Sequence, residues 1–164
     1  MALPNTEAPR PVSRSKVIMT ELVLPQHTNA LGSVFGGTIM SWIDISAAIA
    51  AQRHAGKPVV TASVDALQFI APVFKGWVVN LHASVNYTGR TSMEIGIRVD
   101  AENPSTGEMF HTASAYMTFV ALGPELRPIV IPQVVPETPE EIRRHKAAQI
   151  RREQRLALRE KLKA

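Results

Sequence analysis

Thr38-Ile39-Met40-Ser41-Trp42-Ile43-Asp44-Ile45-Ser46-Ala47-Ala48-Ile49-Ala50-Ala51, continued by Gln52-Arg53-His54-Ala55-Gly56, is the stretch whose reading decides the fold. It has the length of a helix and is apolar on almost every side, which predicts a helix buried all round. Cations in the last turn, Gly56 as a stop signal and Pro58 beyond it end that helix. Downstream the hydrophobic period changes from about 3.6 to about 2. Val59 to Ile70 reads as extended. Trp77, Val79, Leu81, Ala83, Val85 and Tyr87 alternate with Asn80, His82, Ser84 and Asn86, and Met93, Ile95, Ile97 and Val99 alternate with Glu94, Gly96, Arg98 and Asp100. Met109 to Ala121 supplies a further strand. Thr88-Gly89-Arg90 and Asn103-Pro104-Ser105-Thr106-Gly107 are tight connections, so neighbours run antiparallel. With a short strand over Lys16 to Leu24, the order is strand, buried helix, then four strands. One sheet face must cover the helix, and the fold class is α+β, an antiparallel sheet curled around a long central helix. A lone subunit leaves apolar surface uncovered, which predicts a dimer at least.

Outside this block, residues 1–14 are rich in Pro and polar side chains and are expected to stay flexible. Residues 15–123 form the folded domain, and 124–137, with no periodicity, an extended Pro-rich linker. Thr138-Pro139-Glu140-Glu141 then has the capping-box arrangement and opens a basic C-terminal helix over 138–164. The chain of 164 residues carries a formal net charge of +4, but residues 139–164 hold nine Lys or Arg against four Glu, and the body is slightly acidic. A polyanion partner would have to use that tail, and such a run is more often a solvated helix, so nucleic acid is not expected. Without cysteine there is no disulfide framework, thiolate metal site or thiol nucleophile. No apolar run reaches the ~18 residues of a membrane span, and the N-terminus lacks the apolar core of a secretory signal. Cytosol is the expected compartment, and no membrane partner is expected.

Asp44 is the only ionisable side chain between Thr38 and Ala51. A carboxylate in apolar surroundings becomes a better base near neutral pH, able to activate water or attack a carbonyl itself. Equally, Ser41, Asp44, Ala48 and Gln52 form a narrow polar stripe facing solvent or a subunit boundary. Gly36-Gly37-Thr38 lies where a loop enters the helix, so unpaired amides there suit a carbonyl oxygen or oxyanion, or the glycines merely let the helix start. Asn29 is either an amide donor to a carbonyl or an Asx-turn residue. Gly32 and Gly37 have P-loop spacing, but Thr38 stands where Lys is required, and GxGxxG and GxSxG are missing. His27, His54, His82, His111 and His145 show no metal-ligand spacing, so no metal is assigned. Arg90-Thr91-Ser92 at a hairpin tip suits a phosphate, although tips are commonly polar.

The run Pro25 to Asn29, Leu31 to Asp44 and Ala51-Gln52-Arg53-His54 resembles the hotdog-fold acyl-CoA hydrolases. So do Val60-Thr61-Ala62-Ser63-Val64-Asp65 with Phe69 and Pro72, the turn Gly89 to Met93, Tyr116 to Ala121 and Val135 to Thr138. The resemblance is greatest to bacterial cytosolic acyl-CoA thioesterases. It implies a hotdog fold with a five-stranded sheet, dimers with sites at the subunit boundary, and assembly as a trimer of dimers, a hexamer. It implies thioester hydrolysis of acyl-CoA to acid and coenzyme A without a cofactor, coenzyme A being part of the substrate. Asp44 would be the catalytic carboxylate, Asn29 would come from the facing subunit, and the Gly37 amide would polarise the carbonyl, with Gly36 and Thr38 beside it. Arg90, Thr91 and Ser92 would meet the coenzyme A portion. The alternative from another class is a non-catalytic acyl-CoA-binding or RNA-associated module using the basic helix. A hotdog dehydratase is less suited, because no histidine occurs within Thr38 to Ala51.

Overall fold

The computed structural model describes residues 7–163. Along the chain these form β1 (Arg10–Pro11), a short 3-10 turn, β2 (Val17–Leu22), α1 (Gly36–Ala55), β3 (Val59–Phe69), β4 (Val78–Thr88), β5 (Ser92–Glu102), β6 (Met109–Ala121), β7 (Val134–Val135) and α2 (Pro139–Leu162). Five strands make one antiparallel sheet in the order β2-β4-β5-β6-β3. This is the hotdog fold, with α1 against one face of the sheet.

Alternation explains which face α1 takes. Met93, Ile95, Ile97 and Val99 of β5 and Val79, Leu81, Ala83 and Val85 of β4 are buried beneath it, together with Met117 and Phe119 of β6. From the helix side, Ala47, Ala50, Ala51 and Ala55 are fully buried. Their small side chains let the helix axis come close to the sheet, so a larger residue there would overpack the core.

Three expectations need correction. First, α1 begins at Gly36, two residues before the expected Thr38, because Phe35 acts as N-cap and its carbonyl accepts from Thr38 N and Ile39 N at 3.0 and 3.3 Å. Second, α1 is not buried all round: Met40 and Ile45 are 43% and 49% exposed, and Ser41 and Gln52 are exposed beside them. Helix and sheet of one chain cover the rest of the helix but not this stripe. Third, described residues near the N-terminus are folded: β1 pairs parallel with β7, Val12 is buried, and Ser15 Oγ accepts from Val85 N at 2.9 Å. Periodicity cannot reveal such segments, because each contributes one or two anchors rather than a face. Residues 1–6 of the expected flexible N-terminus lie outside the described residues. The Pro-rich stretch 124–137 opens with a 3-10 turn at Pro124–Leu126 rather than running extended throughout, and it is fastened down, with Ile131 fully buried and Val134 buried.

His54 ties α1 to this stretch. It is fully buried, and its Nε2 donates to Pro132 O at 2.8 Å, which fixes the neutral tautomer with Nδ1 unprotonated. Burial pushes its pKa below the ordinary 6.5; the bond to Pro132 opposes that shift, and the nearby Arg10 and Arg14 add to it. The unfolded chain therefore binds this proton more readily than the folded one. The stability is intact above the ordinary histidine pKa of 6.5 and is lost as the pH falls below it toward the folded value. Half-buried His145 is shifted the same way by burial and adds to the effect. Thermal unfolding at pH 7.5 and 5.5 is expected to show a smaller acid-induced loss in His54→Gln than in the parent, because Gln keeps a donor for Pro132 but does not titrate. Equal losses would remove His54 from the explanation.

Candidate active site

Asp44 lies in the third turn of α1, on the stripe that the chain itself leaves open. It is half-buried, less than the apolar run suggested, since Ser41 and Gln52 on the same stripe are exposed. Its Oδ1 accepts a hydrogen bond from Thr61 Oγ1 at 2.7 Å, and Oδ2 accepts none among the described residues. Thr61 stands on β3, an edge strand of the sheet, and holds the carboxylate by one oxygen, the other having no hydrogen-bond partner among the described residues. Val60 and Val64 on β3 are also exposed, at 45% and 48%. Asp44 thus lies on the polar stripe with Ser41 and Gln52, half-buried and tied to β3 through Thr61.

The loop before α1 supplies the second element. Asn29 Oδ1 accepts from Leu31 N at 2.9 Å, Ser33 N at 3.3 Å and Ser33 Oγ at 3.2 Å, so Asn29 does form the local Asx-type turn. Its Nδ2 donates to no group among the described residues. One end of the amide is locked and the donor end is left available, which is the arrangement a preorganised donor needs. The loop is braced against α1 by His27, whose ring meets Trp42 edge-on with centroids 5.1 Å apart.

Gly36 and Gly37 are the first residues of α1, where amides have no partner one turn back. Around a Cβ built on Gly37 there is nothing within 4 Å, whereas at Gly36 the Phe69 ring would lie at 3.4 Å. Neither φ lies in the left-handed region. Nothing among the described residues therefore demands glycine at 37, and that face of the helix start is open.

Arg90, Thr91 and Ser92 form the β4–β5 turn. Arg90 is exposed, and Thr91 and Ser92 are half-buried. The turn is held by Gln133 Nε2 donating to Gly89 O at 3.0 Å and by Ile131 N donating to Arg90 O at 3.1 Å. Met93 and Thr61 both pair with Phe119, which sets this turn at the same end of the sheet as Thr61.

The tail is not a free basic face. Arg151 grips Glu94, buried on β5, with Nη2–Oε1 at 2.7 Å and Nε–Oε2 at 3.1 Å, and its guanidinium lies 3.7 Å from the centre of the Tyr116 ring. A cavity of about 660 Å³ opens between α2 and the outer sheet face, far from Asp44 in the fold because it lies on the opposite face. Carboxylates pair with its cations: Arg98 with Asp100 at 3.0 Å, Arg151 with Glu94 at 2.7 Å and Lys16 with Glu141 at 3.4 Å, while Arg143 and Arg144 share Glu140 at 3.9 and 2.7 Å. Thr61 is the site residue that sequence reasoning missed. Its only signal was its place in the quoted run from Val60 to Asp65, where a threonine is unremarkable in a strand.

Known proteins share this fold. The family model described as the Thioesterase superfamily matches residues 31–108. An acyl-CoA thioester hydrolase of Bacillus subtilis, itself described as uncharacterized, is 41% identical over 144 residues, covering 88% of this chain and 84% of that protein. An apo-hexameric acyl-CoA thioesterase superposes with a TM-score of 0.89 at 42% identity, covering 92% of this chain and 97% of the other. The acyl-CoA hydrolase of Staphylococcus aureus, solved with butyryl coenzyme A, coenzyme A and coenzyme A disulfide, gives 0.87 at 38% identity and 94% coverage of both. That protein has also been solved with an aspartate, an asparagine or a threonine changed to alanine, with TM-scores of 0.89, 0.90 and 0.87. Fold and relatives together define a hotdog-fold hydrolase. The chain belongs to the thioesterase superfamily, among the acyl-CoA thioester hydrolases.

Proposed function

We propose that this chain hydrolyses acyl-CoA thioesters to the free acid and coenzyme A at a site built around Asp44 and completed by a second copy. The observation that carries the reading is the 2.7 Å bond from Thr61 to one oxygen of Asp44, on a helix stripe that the chain leaves open. With Oδ1 so held, Oδ2 is the oxygen for chemistry. It takes a proton from the attacking water, or it attacks the acyl carbon and forms a mixed anhydride that water then cleaves. In both routes the C–S bond breaks, the thiolate leaves, and the acyl group ends as a carboxylate.

The Gly37 amide and the Asn29 Nδ2 polarise the thioester carbonyl, and Gly36 and Thr38 shape the approach to it. Asn29 acts from the facing subunit. The exposed Met40 and Ile45 beside Asp44, and Val64 on the edge strand, support a second copy seated over this stripe. Arg90, Thr91 and Ser92 receive the phosphate-bearing part of coenzyme A. The direct test is thiol release across a panel of acyl-CoAs of increasing chain length; no release from any member would end the proposal.

Gly37 offers a separation of fold from function. Gly37→Ala meets no neighbour within the chain, and alanine is the better helix residue by roughly 0.5–1 kcal/mol in a helix interior. The variant is expected to unfold at an unchanged or higher temperature while turnover falls at least tenfold, because the new methyl occupies the face the carbonyl approaches. Unaltered turnover would show that the substrate does not pass there.

A further inference from the structure

The irregular pairing of β3 decides which way Thr61 faces. In a regular strand Thr61, Ser63 and Asp65 share one face. Here the ladder to β6 slips between Thr61 and Ser63 and again between Val64 and Ala66. Thr61 pairs with Phe119, whose ring is buried in the core, so it lies on the α1 side; Ser63 pairs with Thr118, one residue on and on the opposite face. The extra residue, Ala62, makes this reversal. Were Ala62 paired in a regular ladder, Thr61 and Ser63 would share a face.

On the α2 side one carboxylate binds this irregularity together. Asp65 Oδ1 accepts from Ser63 Oγ at 2.6 Å and Oδ2 accepts from Thr118 Oγ1 at 2.6 Å. Arg155 of α2 places Nη1 3.2 Å from Oδ2, and the Asp65 side chain is only 8% exposed. Asp65 therefore joins the residue after the first slip, the neighbouring strand and α2. β3 is an edge strand, so no further strand of the chain steadies its other side.

We propose that Asp65 and Arg155 are positioning residues for hydrolysis. The C-terminal helix, through this pair, fixes the β3 bulge that directs Thr61 at Asp44. The inference rests on the reading of Thr61 and Asp44 given above. Its consequence is that the basic tail belongs to the enzyme's working parts although it lies on the far face of the sheet from the site.

The test measures kcat and KM for a short-chain acyl-CoA in full-length Arg155→Gln, Asp65→Asn, the double variant and Arg155→Lys, with Asp44→Asn beside them. Arg155→Gln and Asp65→Asn are expected to lower kcat about tenfold or more with KM within about twofold, because geometry rather than substrate affinity is disturbed. The double variant is expected to fall no further than the worse single, and Arg155→Lys to regain most of the loss. If Asp65→Asn does not fold, Arg155→Gln decides alone, since there Asp65 keeps its bonds to Ser63 and Thr118. Full kcat in folded Arg155→Gln, or a raised KM with kcat unchanged, would overturn the inference. Asp44→Asn inactive beside a fully active Arg155→Gln would overturn this inference only; Asp44→Asn at full turnover would overturn the underlying reading as well.

Discussion

Asp44→Asn is expected to lower acyl-CoA turnover by about 10³-fold or more, with melting temperature and oligomeric state close to those of the parent. The substitution keeps an oxygen for the Thr61 hydroxyl, so the 2.7 Å contact that orients the side chain can persist. It removes the group that takes a proton or forms the anhydride. A positioned general base alone is worth roughly 10²–10⁴-fold, and loss of a nucleophile is at least as severe. Stability should change little, since the side chain is half-buried and lies on an open stripe. Thiol release and thermal unfolding measured on one preparation give both halves of the result. Turnover within tenfold of the parent in the folded variant would remove Asp44 from the chemistry.

Asp44 was legible because it is the one ionisable residue in a long apolar run, and the sheet because its strands alternate cleanly between tight turns. What escaped has a common physical origin. Val12 and Ile131 are single anchors in Pro-rich chain, and one buried side chain has no period to detect. Arg151 and Arg155 read as a solvated charge run, yet their partners Glu94 and Asp65 are supplied by strands far away in sequence. Thr61 needed the slip at Ala62 to face Asp44, and a strand read as regular would have set it on the same face as Ser63 and Asp65. Local pattern reports local structure; pairing across the sheet reports the site.

Asn29→Ala is expected to cost about a hundredfold in turnover, the usual range for one donor to a developing oxyanion. Part of the change is local, because Oδ1 also bonds Leu31 N, Ser33 N and Ser33 Oγ. Whether the Asn29 loop serves its own subunit or the facing one is the question that symmetry can decide. If Asn29 of one subunit serves Asp44 of the other, a dimer of one Asn29→Ala chain and one Asp44→Asn chain holds one site with both residues intact and one with neither. Subunits unfolded and refolded together in equal amounts form about half mixed dimers, so about a quarter of parental activity should return from two nearly inactive parents. Asn29 and Asp44 acting within one chain predict no recovery, whether the Asn29 change removes a donor or breaks the loop that carries it. Sedimentation of the refolded mixture establishes that it has assembled. Recovery in that assembled mixture would mean that each site draws on both chains; no recovery would place the effect of Asn29 within its own chain and overturn its action from the facing subunit.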